Sequence, residues 1–526
     1  MTLLRAAALA LIALVPAPAL AETTPEAVWA LMQDGVDGLS ATASRRGDAL
    51  VVTHGRVDLD DGPILILPDF TLRQVPGGAV ALELPPRFPL VLNLPPKAGG
   101  PESLTLQVSA PDLAATFRDI GPEAVDVSLR AGSVSASLDP IETTLGVKAP
   151  PDLFVALAAA DLALDWKSDL PERAEAFATG QLALGTLHFE MRADIPEEAA
   201  KGSFAIDLSA VKADLDAFLP SGGLQALEEM EGQDTPPVHA LLGLLDRGMR
   251  LKGSVSHGPL ALVVDMPETP EGPVALDLTA ASGDGMLSFD RKGLAYDVGS
   301  STVAMAFRGR SPEIPVERFA LTAGEVREAL QLGFPIDGVA SPGWRVLYRF
   351  AGIAVSDELW DRADPGRSLP RDPMSLVLDT SGTYTPDPRL MSPRGWTPGP
   401  MDLPVTDLTL VLTEALVEGA GLRIAGTGDL AFDFADRSRY VEEVPMPEGK
   451  LSFLTTGANA LIDRLVKLGL VPEDQVSGMR FGLLFLGRAV PGQEDHLTTD
   501  LEFRGGSFLL NGQKIRCGPV PRRGTR

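Results

Sequence analysis

The chain has 526 residues, 45 % of them hydrophobic and only 6 % aromatic, and a formal charge of −26 from 45 basic and 71 acidic side chains. That balance excludes a nucleic-acid binder, which needs Lys and Arg gathered on one face, and broad electrostatic adhesion to anionic lipid. One cysteine, Cys517, excludes an internal disulfide framework, so buried area alone must hold the fold.

Taken in order, the chain opens with Arg5, an apolar run over 6–15 and the small residues Ala19-Leu20-Ala21. This predicts a signal peptide over 1–21, cleaved before Glu22, and hence export to the periplasm. Loss of Arg5 with the leader would make the protein one unit more negative. An apolar run of that length is too short to cross a bilayer, which takes roughly 20 residues. The longest later candidate, 154–166, is interrupted by Asp161 and Asp165. No transmembrane segment is therefore expected after cleavage.

A short helix is predicted over 25–39, with Val28, Trp29, Leu31 and Met32 turned inward and Pro25 at a position a helix start tolerates. Strands dominate from Ala49 onward. Alternating runs at 50–54, 64–67, 80–84, 104–109, 125–129, 134–138, 153–166, 181–192, 204–208 and 211–215 are separated by Gly, Pro and Asp. A helical hairpin is predicted at 224–230 and 238–249, where Leu241, Leu242, Leu244 and Leu245 make a broad apolar side. Further strands follow at 251–256, 260–266, 274–280, 285–290, 293–298 and 302–308. A second helical segment is predicted at 344–361 and a strand at 375–382.

The last stretch, 405–515, reads as two alternating strands joined at Gly419 to Gly421, a helix through Ala460, Leu461, Leu465, Leu468 and Leu470, a strand at 497–503 and a closing hairpin at Asn511-Gly512. The expected class is mainly β with a few helices: antiparallel sheet layers, elongated and curved, with helical insertions. The organisation predicted is a leader (1–21), an N-terminal β-rich block (22–220), a helical hairpin with a central β-block (221–343) and a helical segment with a C-terminal β-block (344–526). A regular βαβ order is absent, which argues against a doubly wound nucleotide fold.

The residues of 405–434, the strand Leu451-Ser452-Phe453, the helix at 459–470 and the closing Leu509-Leu510-Asn511-Gly512 resemble the C-terminal portion of AsmA-like envelope proteins. Tyr348-Arg349-Phe350-Ala351-Gly352, Val355-Ser356-Asp357-Glu358-Leu359-Trp360, Leu369-Pro370-Arg371-Asp372-Pro373 and Leu461-Ile462-Asp463-Arg464-Leu465 resemble more specifically the exported domain-of-unknown-function family numbered 2125. The narrower resemblance implies no activity. The broader one implies a curved sheet whose apolar face holds lipid acyl chains.

No residues qualify as catalytic, cofactor-binding or metal-binding. His54, His188, His239, His257 and His496 are scattered and lack ligand spacing. The run from Asp58 to Gly62 lacks the alternation and the distant Glu of a calcium loop. Ser209 and Lys212 match Ser-x-x-Lys inside a strand, without the motifs that accompany it in acyl-transfer enzymes. Gly426 and Gly428 suit a bend or bulge rather than a phosphate loop. Trp344 and Trp360 are expected as core anchors. Strand 153–164 carries Val155, Leu157 and Ala159 on one side and Phe154, Ala156 and Ala158 on the other, so both faces are expected to be covered, by protein or by an acyl chain. A non-enzymatic binder of lipid or another amphiphile leads; a scaffold binding envelope proteins is the alternative.

Overall fold

The computed structural model describes residues 23–515 except 60–61, 95–102, 122–123, 140–151, 171–173, 196–199, 232–237, 270–271, 311–315, 337–338, 392–403, 437–439 and 442–443. The expected leader, Cys517 and the Arg-rich end lie outside these residues. The described chain is mainly antiparallel β with a few helices, and it divides into two units.

The first unit takes residues up to 229, 248–285 and 305–318. It begins with helix α1 (Pro25–Gly35), started by Thr24, whose hydroxyl accepts from the Ala27 N–H at 3.2 Å, with Pro25 in the first turn. Eight short strands follow: β1 (Leu39–Arg46), β2 (Ala49–Asp58), β3 (Ile64–Ile66), β4 (Phe70–Val75), β5 (Ala79–Glu83), β6 (Arg87–Asn93), β7 (Ser103–Ser109) and β8 (Ala114–Arg118). The helix stops at Gly35, short of the 39 expected, and Leu39 already opens β1. Val28 and Trp29 of α1 pack on Leu50, Val52, Leu72, Val80, Phe117, Val125 and Val127, and this is the unit's closed core. Val28, Leu72 and Val80 have no exposed surface.

Long strands continue from it: β9 (Ala124–Leu138), β10 (Asp152–Asp169), β11 (Ala176–Ile195) and β12 (Ala200–Leu219), then β13 (Arg250–His257), β14 (Leu260–Glu268) and β15 (Val274–Ala280). Strands β9 to β12 pair antiparallel in sequence order; the far half of β12 pairs with β13, its near half with β14, and β14 pairs with β15. The runs 204–208 and 211–215 prove to be one strand. Ala210 between them adopts φ 52°, as Asp161 does in β10 at φ 54°. Gly132 and Gly185 lie opposite Asp161, and a Cβ on Gly185 would stand 2.7 Å from its carboxylate. On every one of the strands β9 to β12 the apolar phase changes at this row. It passes from Val155, Leu157, Ala159 to Leu162, Leu164, Trp166 in β10, and from Phe204, Ile206, Leu208 to Val211, Ala213, Leu215 in β12. A local kink of this kind is the device by which a strand re-aims its side chains.

The second unit takes 230–247, 286–304 and the described residues from 319 on. Helix α2 (Gly223–Glu231), most of which belongs to the first unit, and α3 (Val238–Asp246) form near the expected positions, with Leu244 and Leu245 of α3 buried. Strands β16 (Ser282–Asp290) and β17 (Gly293–Gly309), whose residues 282–285 and 305–309 belong to the first unit, lead to β18 (Arg318–Gly333), β19 (Gly343–Val355) and β20 (Met374–Pro386).

The helix expected over 344–361 is largely a strand. Alternation puts Arg345, Leu347 and Arg349 on one side and Trp344, Val346, Tyr348 and Phe350 on the other, and β19 is paired along both edges, with β18 and β20. Only the segment after Ser356 is helical, as α4 (Asp357–Ala363).

The hairpin β21 (Val405–Gly419) and β22 (Leu422–Asp433) turns at Ala420 and Gly421, both left-handed at φ 52° and 80°. Gly426 and Gly428 lie in β22 opposite a register shift in β21 between Leu412 and Ala415, so the bulge belongs to the partner strand. A small pair, β23 (Tyr440–Val441) with β24 (Val444–Pro445), precedes β25 (Glu448–Thr456) and α5 (Ala458–Lys467). Next comes α6 (Glu473–Leu486), a helix the sequence did not lead us to expect, then β26 (Arg488–Ala489), β27 (His496–Arg504), β28 (Ser507–Leu510) and β29 (Gln513–Ile515). Asn511 and Gly512, both at positive φ, make the closing turn as expected.

Leu72→Ala is expected to cost about 2–5 kcal/mol in urea unfolding, because a fully enclosed leucine leaves a cavity. Ala210→Gly is expected to raise stability by roughly 0.5–1 kcal/mol, by relieving a left-handed residue that carries a Cβ.

Candidate functional site

Directly paired residues on adjacent strands point to the same face of a sheet. In the first unit this rule assembles three apolar rows beyond the kink. One runs Val134, Ala159, Leu187, Leu208, Leu260, Ala280 across β9, β10, β11, β12, β14 and β15. The next runs Ala136, Leu157, Phe189, Ile206, Leu262, Leu278. The third, without β9, runs Val155, Met191, Phe204, Val264, Leu276. Five strand spacings of about 4.8 Å make this surface roughly 24 Å wide.

No charged side chain interrupts these rows, and of their members only Ala280 is buried. The large side chains are at least partly accessible, and Met191 is 39 % exposed. Residues on the same sheet but on the near side of the kink behave differently: Val125 and Val127 are enclosed in the core at 1 % and 8 %. Among the described residues the apolar face is thus closed by α1 and the short strands at one end and left partly accessible at the other. Phe189 and Phe204 stand edge to face at 6.1 Å within it.

The opposite face of the same strands is polar. Ser133, Ser135 and Ser137 lie on it, His188 meets Asp207 at 2.7 Å, and Arg192 covers the Phe154 ring at 4.2 Å. The expectation of two apolar faces in 153–164 is therefore corrected. Val155, Leu157 and Ala159 belong to the oily face, whereas Ala156 and Ala158 pair with Glu190 and His188 on a solvated one.

The second unit has an open apolar face of its own. Val326, Phe350, Leu376, Val417 and Ile424 form one row over β18 to β22, and Tyr348, Leu378, Ala415, Gly426 and Phe453 form another over β19 to β25. Leu376 is 50 % exposed, and Val417, Tyr348 and Leu378 are also exposed. The reverse side of these strands is the enclosed one. It holds Leu347 and Val377 together with the Arg345–Asp379 pair, bonded at 3.0 and 2.9 Å, and Arg349 donating to Glu414 at 2.8 Å. Asp379 holds the Arg345 guanidinium above its ordinary pKa. Asp379 is buried here beside Leu347 and Val377, while Arg345, Arg349 and Glu414 are half-buried, so the enclosed side carries charge and the open side carries apolar residues.

The segments that carry the family resemblance gather beside these strands. Arg371 donates to Asp357 and Asp361 of α4, Arg367 reaches the same two carboxylates, and Asp364 accepts from the Leu369 N–H at 2.6 Å. Asp364 is wholly buried. Arg464 of α5 donates to the Ala420 carbonyl, and a Cβ on Gly421 would press against both Arg464 and Pro370. Gly352 is the bulge residue between β19 and β20 and donates its N–H to Ser375. These residues fasten strand ends and loops.

Among the described residues Ser209, Lys212 and His257 come near one another at the turn between β13 and β14, where the Gly258 N–H donates to the Ser209 carbonyl at 2.8 Å and Lys212 pairs with Ser256 across the strands; the other candidates lie apart. His54 sits at a kink with Asp69 accepting its N–H, His257 meets the Gly258 carbonyl and His496 the Glu494 carbonyl. The Ser209 hydroxyl donates to the Pro259 carbonyl. The Trp344 indole donates to the Thr409 carbonyl, and Trp360 lies in α4; both are half-buried. Asp60 and Asp61 fall outside the described residues. Among the described residues no three His, Cys, Asp or Glu stand together as a metal site, and no helix is long and apolar enough to cross a membrane. What assembles the rows is strand register, which alternation along one strand does not reveal.

Residues 269–521 match the model of a family described as "Uncharacterized protein conserved in bacteria (DUF2125)". No curated protein and no solved structure matches the chain.

Arg371 and Arg367 hold the Asp361 carboxyl below the ordinary 3.8, and the Leu369 and Ser368 N–H groups do the same for Asp364. Since folding lowers both values, the lock contributes fully above the ordinary carboxylate pKa and is lost as pH falls through the folded-state values. Melting temperature recorded by circular dichroism is expected to fall below pH 3.8, and to fall less in Asp364→Asn, whose starting stability is lower.

Proposed function

With residues 269–521 carrying the signature of an uncharacterised bacterial family, DUF2125, we propose that this protein binds the acyl chains of a lipid or other amphiphile on its open apolar sheet face. The observation that carries the reading is the uncharged surface of β9 to β12, β14 and β15, whose large side chains stay accessible while the same sheet is enclosed on the other side of the kink. A fatty chain of about 14 methylenes laid on such a surface gains on the order of 10 kcal/mol before ordering costs. The role is carriage or shielding, without chemistry, in the cell envelope. Support for that compartment comes from the leader-like first 21 residues, the acidic composition and the resemblance of the C-terminal strands and closing hairpin to AsmA-like proteins.

Extraction of the purified protein with organic solvent followed by mass spectrometry is expected to release lipid in stoichiometric amount. Phe189→Glu and Ile206→Glu, a directly paired couple on the face, should each lower it by roughly tenfold or more, since a carboxylate there must lose its hydration against an acyl chain. Protein that leaves the envelope lipid-free, takes up none when offered it, and crosslinks to one constant protein would refute binding and establish the scaffold reading.

A further inference from the structure

Helix α6 is the most exposed apolar element of the second unit, and the acyl-chain reading makes no use of it. Phe481 is 72 % exposed, Leu484 66 %, Phe485 57 % and Leu486 52 %, and Leu470 in the preceding loop is 65 % exposed. At helical spacing Phe481, Leu484 and Phe485 stand at i, i+3 and i+4, on one face. Val476 and Leu483, half-buried, lie on the opposite side.

The helix is held in place rather than loosely tethered. Arg480 pairs with Asp463 of α5, the Leu486 carbonyl accepts from the Asn511 side chain at 2.9 Å, and buried Gly487 closes on Leu497. A helix end that is apolar on every side belongs inside a protein or a lipid phase, and among the described residues protein covers only one side.

The geometry points to a zwitterionic phospholipid surface as the occupant, with residues 481–486 entering it. Residues 481–487 carry no charge, and arginines stand at both ends, Arg480 and Arg488. Guanidiniums bordering an apolar plug complement headgroup phosphates, and their further N–H donors reach the phosphate plane while the rings go deeper. A second copy of the chain is disfavoured by charge, since each copy carries −26. The same charge selects zwitterionic over anionic lipid. The protruding side chains form a ridge rather than a groove, which suits a fluid phase that closes around it.

The test is flotation of the full chain with phosphatidylcholine vesicles, comparing wild type with the triple variant Phe481→Ser, Leu484→Ser, Phe485→Ser in the same background. These side chains are exposed, so the fold should survive, and unchanged melting would verify it. Wild type is expected to float and the variant to partition on the order of hundredfold more weakly, three large apolar contacts having been removed. Phe481→Trp supplies a second readout, in which added indole emission is quenched by brominated phosphatidylcholine. Phe189→Glu should float normally while losing extracted lipid, and the triple variant should retain extracted lipid while failing to float, so this proposal and the acyl-chain reading fail separately. A triple variant that floats like wild type, an added indole in Phe481→Trp that stays unquenched, or a ridge that yields only concentration-dependent dimers would each overturn it.

Discussion

Residue-for-residue antiparallel pairing over long strands is the constraint on which the rest of this molecule depends. From Asp152–Asp169 through Ala176–Ile195 to Ala200–Leu219 the register runs without a slip, so the apolar residues of one strand meet apolar residues of the next. A one-residue shift would send each row to the solvated face. The continuity of the oily surface is therefore a property of the ladder, and single substitutions within a row leave the remaining rows in register.

The kink at Asp161 and Ala210 divides that ladder into a covered and an open part. Opposite it, Gly132 and Gly185 leave room where a Cβ would collide. Asp112 adds a clamp, accepting from the N–H groups of Gly132 and Ser133. On one side of this row the sheet meets α1 and buries Val125 and Val127; on the other, among the described residues, its large apolar side chains are not enclosed. The second unit reaches a similar outcome by another route, burying Leu347, Val377 and Asp379 on one side of its strands and leaving Leu376 and Val417 open on the other. A protein that spends its apolar residues on open faces must draw its stability from a small closed core, from ladder hydrogen bonds and from local locks such as Arg371 with Asp357 and Asp361.

Most strands were legible because period-two alternation and Gly/Pro punctuation carry a strong local signal. The helix expected over 344–361 is a strand as far as Val355, and its apolar residues fall on both alternate sets, with Trp344 and Phe350 on one and Leu347 and Ala351 on the other. Such a pattern fits a buried helix as well as a strand with both faces occupied. Helix α6 escaped for the complementary reason: Gly478 and Gly482 weaken its propensity, and an apolar distal half erases the amphipathic period.

By itself the sequence determined the class of structure, the acidic surface and the location of most strands, because these depend on composition and on neighbours along the chain. It also determined the tight turns at Ala420-Gly421 and Asn511-Gly512, where positive φ is a local demand. Which apolar residues share a face, and which of those faces remains uncovered, only the tertiary structure decided. Val155 and Val127 are the same residue type on adjacent strands, yet one is partly accessible and the other enclosed. Burial depends on which other layer arrives above a residue, and that layer is supplied by chain far away in sequence.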